Sequence, residues 1–325
     1  MKPTTRLLLC AAAVAACVYP MAVTAQNPAS KSLRVIVAFP AGGGADILMR
    51  ILAPAVSVRI GQNLVIDNRP GASGLIGAQS AAAAAPDCQT VTLATSSNFS
   101  VIPAMFAKPP YDPISDFSPI AMIATAPLML AVHPSLPSRS VKELVALAKA
   151  RPGELLFATN GAGSISHLAT ELFQDAAGIR MTHVPYKGGT PAATDTIAGH
   201  VSLIITAIPT LSAHVQSGRL RGLGVTGTGR SKLFPELPAI SESGLPGYSA
   251  IQWYGLFGPK GVSQECAAGL NRHFSAALGT AEVSERFLKD GSEPAPMTIA
   301  DFAAFVRTDV EKWGRVIKSK NIKLN

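Results

Sequence analysis

Two glycine-rich turns carry the residue types best suited to chemistry. The first is Phe39-Pro40-Ala41-Gly42-Gly43-Gly44-Ala45-Asp46, between an apolar run and a stretch with helical spacing. Glycines there let backbone N–H groups approach an anion, and the positive end of the helix adds to the attraction. Asp46 is placed to cap that helix. A plain strand-to-helix turn would look the same, and the G-x-G-x-x-G spacing of a dinucleotide site is missing. The second turn, Asn160-Gly161-Ala162-Gly163-Ser164-Ile165-Ser166-His167, repeats the design and adds hydroxyls. Ser164 suits either a helix cap or a ligand donor. No glycine follows it by two residues, so it is not the nucleophile elbow of hydrolases. A third junction, Val184-Pro185-Tyr186-Lys187-Gly188-Gly189-Thr190-Pro191, offers a phenol, a charge and free N–H groups.

These groups suit the holding of a small anion rather than its conversion. The histidines at 133, 167, 183, 200, 214 and 273 show no metal-ligand spacing and no H-E-x-x-H. No Ser-His-acid or Cys-His set assembles from the turns. No catalytic residue, metal or cofactor is therefore expected, and His167, one turn into its helix, reads first as a packed, hydrogen-bonded residue.

The elements that must position these turns alternate between strand and helix. Strands are predicted at 33–39, 64–67, 90–95, 155–159, 181–186, 202–207 and 220–226, with longer extended segments at 120–132 and 250–258. Helices are predicted at 45–60, 72–85, 141–150, 164–176, 192–198, 266–278, 281–288 and 299–319. Ser140 and Glu143 sit at capping-box spacing before the fourth strand block. Such alternation implies an α/β fold with parallel-rich sheets. Two blocks appear, one to about residue 124 and one from 125 to about 249. The last 75 or so residues are poor in strands and should return to the first block. That gives one lobe of 26–124 plus 250–325, a second of 125–249, hinge crossings near 124–127 and 247–251, and a cleft between the lobes. Both main glycine turns then lie at the C-terminal ends of strands, where open α/β sheets bind ligands.

Lys2 and Arg6, the apolar run 7–18 and Val23-Thr24-Ala25 read as a cleaved signal peptide over 1–25, placing the mature protein in the periplasm. Val14-Ala15-Ala16-Cys17 also fits a lipoprotein box, but the residues after Cys17 stay apolar where a polar tether belongs. The net charge of +8 falls to +6 without Lys2 and Arg6, and the basic residues are scattered, which argues against a nucleic-acid partner. Cys88 and Cys266 are the cysteines that remain, as one disulfide or two separate thiols.

Several segments together resemble a known family. They are Leu33–Asp46, Asp67-Asn68-Arg69-Pro70-Gly71-Ala72 with Gly77-Ala78, Pro110-Tyr111-Asp112-Pro113 with Asp116-Phe117, His183–Gly188 and Gly244-Leu245-Pro246-Gly247-Tyr248. The chain is similar, along essentially its whole mature length, to the Bug-type periplasmic solute-binding proteins of tripartite tricarboxylate transporters. The resemblance implies a type II periplasmic-binding-protein fold, a monomer, a dicarboxylate, tricarboxylate, acidic amino acid or aromatic acid as ligand, and delivery to a membrane permease pair. The same cleft would also serve a subunit that presents its ligand to a signalling receptor. Carried over by position, the resemblance points to Phe39, Gly42, Gly43, Asp46, Ser96 and Asn98 in one lobe. In the other it points to Asn160, Gly163, Ser164, His167, Tyr186 and Thr206. Two departures stand out: Cys88 replaces the usual glycine of a Pro-Asp-Gly turn, and neutral Thr206 stands where many members carry an acid.

Overall fold

A computed structural model describes residues 32–186 and 188–319, and the expected signal peptide over 1–25, Cys17 and Lys187 lie outside the described residues. Among those residues ten strands join in one mixed, curled sheet in two halves. In the first half, β1 (Leu33–Val37) pairs in parallel with β2 (Leu64–Asn68) and β3 (Thr90–Thr95). Val35, Ile36 and Val37 are fully buried, as a continuous Val/Ile run between covered faces should be.

The long strand β4 (Phe117–Val132) then joins the halves. Its sixteen residues span roughly 50 Å at strand rise. In the second half, β5 (Leu156–Thr159) pairs in parallel with β6 (Thr182–Pro185) and β7 (Leu203–Ala207), while β8 (Arg221–Val225) and β7 run antiparallel to β4. β9 (Ile251–Pro259) returns between β3 and β4, antiparallel to both, and β10 (Glu293–Pro294) adds a short edge. Parallel pairing therefore holds in the outer strands of each half, and the central strands are antiparallel. Strand-helix alternation in the sequence does not specify the direction of the two longest strands.

The halves form the two lobes of a binding-protein fold, each with its own apolar core. Helices Gly44–Ile60 and Gln264–Leu278 cover one face of the first half. Helices Val141–Ala150 and Ile165–Ala177 do the same for the second. The last helix, Ile299–Ser319, departs from the expectation that the tail packs on the first block alone. Phe302 and Val306 sit in the first-half core, but Trp313, Val316 and Ile317 sit in the second. Asp309, buried midway, accepts from the Trp253 indole at 2.7 Å and pairs with Lys312 at 2.7 Å.

Two local outcomes differ from the sequence expectations, and one open choice is settled. The helix predicted over 72–85 is only Leu75–Ala82, because Gly74 takes a left-handed φ of +93° just before it. Helix Ile208–Gln216 was not predicted; Pro209 is accepted in its first turn. Cys88 and Cys266 are joined in a disulfide that ties the turn before β3 to helix Gln264–Leu278. Cys88 has φ +66°, so it keeps the left-handed conformation of the glycine it replaces.

One threonine clasps the place where the chain passes between the halves. β4 changes partners after Pro127, pairing with β9 up to that residue and with β7 from Leu128. Buried Thr226 accepts from Leu128 N–H with its hydroxyl at 2.8 Å and donates its own N–H to the Leu128 carbonyl at 2.9 Å. The same hydroxyl donates to the Ala250 carbonyl, and Ala250 N–H returns to the Thr226 carbonyl at 3.0 Å. Thr226→Val keeps the shape but strands the Leu128 N–H, so it is expected to cost about 1–3 kcal/mol in urea melts. An unchanged melt would show that the hydroxyl does not hold this crossing.

Candidate functional site

In the first half, the loop after β1 is fixed by a buried carboxylate. Gly43 is the N-cap of helix Gly44–Ile60 and offers no side-chain bond to it. Asp46, one turn inside and buried, reaches back to the loop. Its Oδ2 accepts from Gly42 N–H and from Arg50 Nε, both at 2.8 Å, and its Oδ1 accepts from Asn68 Nδ2 at 3.0 Å. Asn68 Nδ2 also donates to the Phe39 carbonyl at 3.1 Å. The Arg50 hydrogen bond outweighs the opposing effect of burial and, with the bonds from Gly42 and Asn68, holds the Asp46 carboxyl below the usual carboxylate range. Asp46 therefore shapes the loop instead of presenting a charge to a ligand. Gly77 sets the approach of the next helix, since a Cβ there would lie 2.6 Å from Ala38 Cα.

The loop after β3 adds a π-helical turn, Ser97–Val101. Asn98 is fully buried, and its Oδ1 accepts from Thr95 N–H at 2.8 Å and from the Thr95 hydroxyl at 3.0 Å. Among the described residues Asn98 Nδ2 and the hydroxyls of Ser96 and Ser100 are buried without a hydrogen-bond partner.

In the second half, Ser164 caps helix Ile165–Ala177. Its Oγ accepts from His167 N–H at 3.2 Å and donates to the Gly161 carbonyl at 2.7 Å. Gly163, at φ +73°, donates its N–H to His167 Nδ1 at 3.1 Å, and a Cβ on it would meet Met105 Cε at 2.9 Å. Thr206 is fully buried and donates to Asn160 Oδ1 at 2.9 Å. That bond occupies an acceptor of the Asn160 amide and leaves its NH2 to serve as a donor. Tyr186 turns to helix Gly189–Ile197 instead, donating to Asp195 at 2.7 Å.

A cavity of about 410 Å³ lies between these loops. From one side it is lined by Phe39, Ser97, Val101 and Ile102, and from the other by the run Asn160–Ile165. Of the expected residues, Phe39, Asn160, Gly163 and Ser164 are brought together on its wall. Gly42, Gly43, Asp46, Ser96, Asn98, His167, Tyr186 and Thr206 are not part of its lining. Ser97, Val101, Ile102, Gly161, Ala162 and Ile165 line it without having been named as site residues. For Ser97, Val101, Ile102 and Ile165 the only sequence signal is position, just after a strand or at the first residue of a helix. A larger hollow of about 510 Å³ lies behind the Ser97–Val101 turn, but it is lined by neither glycine loop. The smaller cavity is where donors converge. The N–H groups of Ile165 and Ser166 open their helix and have no carbonyl four residues back to bind. They carry the positive end of the helix dipole, an arrangement that accepts a carboxylate. Among the described residues no group of three or more metal-ligating side chains is assembled, and no helix is long and apolar enough to cross a membrane.

Comparison with known proteins identifies a family and similar structures. The family model described as "Tripartite tricarboxylate transporter family receptor" matches residues 48–322. The chain is 36% identical over 307 residues to Protein BugT of Bordetella pertussis, covering 93% of each. Among solved structures, a TctC solute binding protein from Polaromonas superposes with a TM-score of 0.82 at 28% identity, over 90% of this chain and 100% of that one. An R. palustris protein solved with adipate gives a TM-score of 0.73 at 34% identity, over 90% of this chain and 98% of that one.

The Ser164 bonds generate a direct test. Ser164→Ala removes the helix cap, so it is expected to lower stability by about 1 kcal/mol in a denaturant melt. No loss of stability would mean that the hydroxyl does not serve as the cap.

Proposed function

Since the chain belongs to the tripartite tricarboxylate transporter receptor family, we propose that it captures a small carboxylate in the cleft between its lobes and delivers it to the permease of such a transporter. The family is one of solute-binding receptors and not of enzymes. Capture takes place in the periplasm, after removal of residues 1–25, and the protein works as a monomer. One lobe comprises 26–124 with 250–325 and the other 125–249.

The observation that carries this reading is the donor set on the cavity wall. The Asn160–Ile165 run, with the Asn160 amide, the Ser164 hydroxyl and the first N–H groups of helix Ile165–Ala177, faces Ser97 across the cavity. Hydrogen bonds to a charged group contribute roughly 1.5–3 kcal/mol each. Four or five of them offset the cost of ordering a small ligand and leave micromolar affinity, about −8 kcal/mol. The neighbour solved with adipate fits a ligand of this class.

The ligand carries no ammonium group. An ammonium in a closed cleft needs a carboxylate or several carbonyls, because an unpaired buried charge is heavily penalised. No carboxylate lines the cavity among the described residues, Asp46 is spent on Gly42, Arg50 and Asn68, and Thr206 is neutral. Calorimetric titration at pH 7 with succinate, adipate, benzoate and aspartate tests this. At least one non-amino acid is expected to bind about tenfold or more tighter than aspartate, a difference of about 1.4 kcal/mol. Tight aspartate binding with no response to the other three acids would overturn it.

A further inference from the structure

The ligand-holding turn of the second lobe hangs from two stacked histidines. His167, on helix Ile165–Ala177, and His183, on β6, lie with ring centroids 4.0 Å apart and planes only 7° from parallel. Phe157 of β5 continues the stack, 5.0 Å from His183. Each imidazole reaches a different glycine of the turn. His167 Nδ1 accepts the Gly163 N–H directly, which fixes its proton on Nε2. His183 Nε2 lies 2.7 Å from the hydroxyl of buried Thr159, and that hydroxyl oxygen accepts the Gly161 N–H at 3.3 Å. The two rings thus set two of the turn's N–H groups, one straight and one through a threonine.

We propose that His183 is a positioning residue for the carboxylate turn 160–164, acting through Thr159 and holding the turn in place only while its own ring is uncharged. The proposal rests on the reading of this turn as the ligand site. The chemistry follows from how many protons the Thr159 hydroxyl has. It has one, and while His183 Nε2 is bare that proton points to the ring and leaves a lone pair for Gly161 N–H. A proton on Nε2 makes the ring a donor, and the hydroxyl must turn its own hydrogen elsewhere. The other acceptor recorded for it is the Gly161 carbonyl at 3.4 Å, on the peptide that follows. Protonating the ring therefore reverses the Thr159–His183 bond and swings the hydroxyl hydrogen from the ring toward the Gly161 peptide, which disturbs the geometry of the turn.

The surroundings favour a neutral His183. Burial first, and then the proximity of His167, push the His183 imidazole down to about 4, against a weaker opposing pull from Glu171. Glu171, one turn along the helix from His167, is the charged side chain that faces the stack; it lies 3.7 Å from His167 Nε2 and also accepts from Gln174 Nε2 at 3.0 Å. A histidine held below its ordinary value keeps the folded turn fully assembled above about pH 6.5. Its contribution shrinks as pH falls through the window from about 6.5 to about 4, where the unfolded chain takes the proton first.

The test uses the mature full-length protein without ligand and then with adipate as probe. Nitrogen-15 spectra are followed from pH 7.5 to 3.5 in the wild type, His183→Gln and His183→Phe. In the wild type the Gly161 and Gly163 amide signals are expected to move together with the His183 ring, with a midpoint well below 6.5. In both variants that transition is expected to vanish. At pH 7 the Phe variant, which keeps the stack and loses the acceptor, should bind adipate about fivefold more weakly, the effect of one lost hydrogen bond. The Gln variant, whose carbonyl can still accept from Thr159, should stay within about twofold of wild type. A His183 ring that titrates near 6.5, or glycine amides that move only when every amide in the protein moves, would overturn the proposal. If adipate fails to bind wild type at pH 7, adipate is not the ligand and the affinity comparison is made with whichever acid of the panel binds, while the amide titration still decides the role of His183.

Discussion

The proposed capture of a carboxylate depends on donors that are already in place before the ligand arrives. Donors that had to be ordered at the moment of binding would use up most of the interaction they offer. The turn at 160–164 meets the requirement by redundancy. Ser164 ties its end to its start through the Gly161 carbonyl, Thr206 orients Asn160, and the histidine stack holds the N–H groups of Gly161 and Gly163. The opposite loop is held by a single buried acid. Asp46 joins Gly42 to Arg50 and, through Asn68, to the end of β1. One lobe uses neutral hydrogen bonds and the other an ion-paired carboxylate. Neither places a negative side chain on the cavity wall.

The remaining architecture brings the two loops face to face. β4 passes from one half-sheet to the other, and the segment at Ala250 returns beside it. The clasp at Thr226 keeps these passages in register. The last helix, with Phe302 in one core and Trp313 in the other, ties the halves on a different side. Gly163 against Met105 marks where the second-lobe turn meets the short Pro103–Met105 turn beyond Ser97–Val101. Closure of a cleft over a ligand depends on such fixed passages, because they limit movement to a rotation about them.

Much of this organisation was legible in the sequence. Strand 90–95 and helices 141–150 and 299–319 follow from apolar periodicity and local caps, and they appear with those bounds. Both glycine turns were found from composition and position alone. Helix Ile208–Gln216 was missed, a short helix that follows β7 directly and carries a proline in its first turn, and the helix at 75–82 is shortened by a glycine whose φ no composition reveals. The site was harder to read, for a physical reason. Residue type identified groups able to hold an anion, but not which of them are already occupied. Asp46, Tyr186 and Thr206 each make an internal bond, and only geometry shows it. Val101 and Ile102 are ordinary apolar residues in the sequence, and they reach the cavity because a π-helical turn follows β3. The Cys88–Cys266 pairing, 178 residues apart, was equally open until the helix and the turn were placed together.

The central claim is that the N–H groups opening helix Ile165–Ala177, with the turn before it, receive a carboxylate. The most direct measurement is amide chemical-shift mapping of the mature protein titrated with a small panel of adipate, succinate, malate and benzoate. The account expects that at least one acid binds saturably and that its largest shifts fall on Gly163, Ile165, Ser166 and the Asn160 side-chain amide. Failure of all four to bind, or saturable binding whose shifts cluster away from residues 160–166, would contradict it.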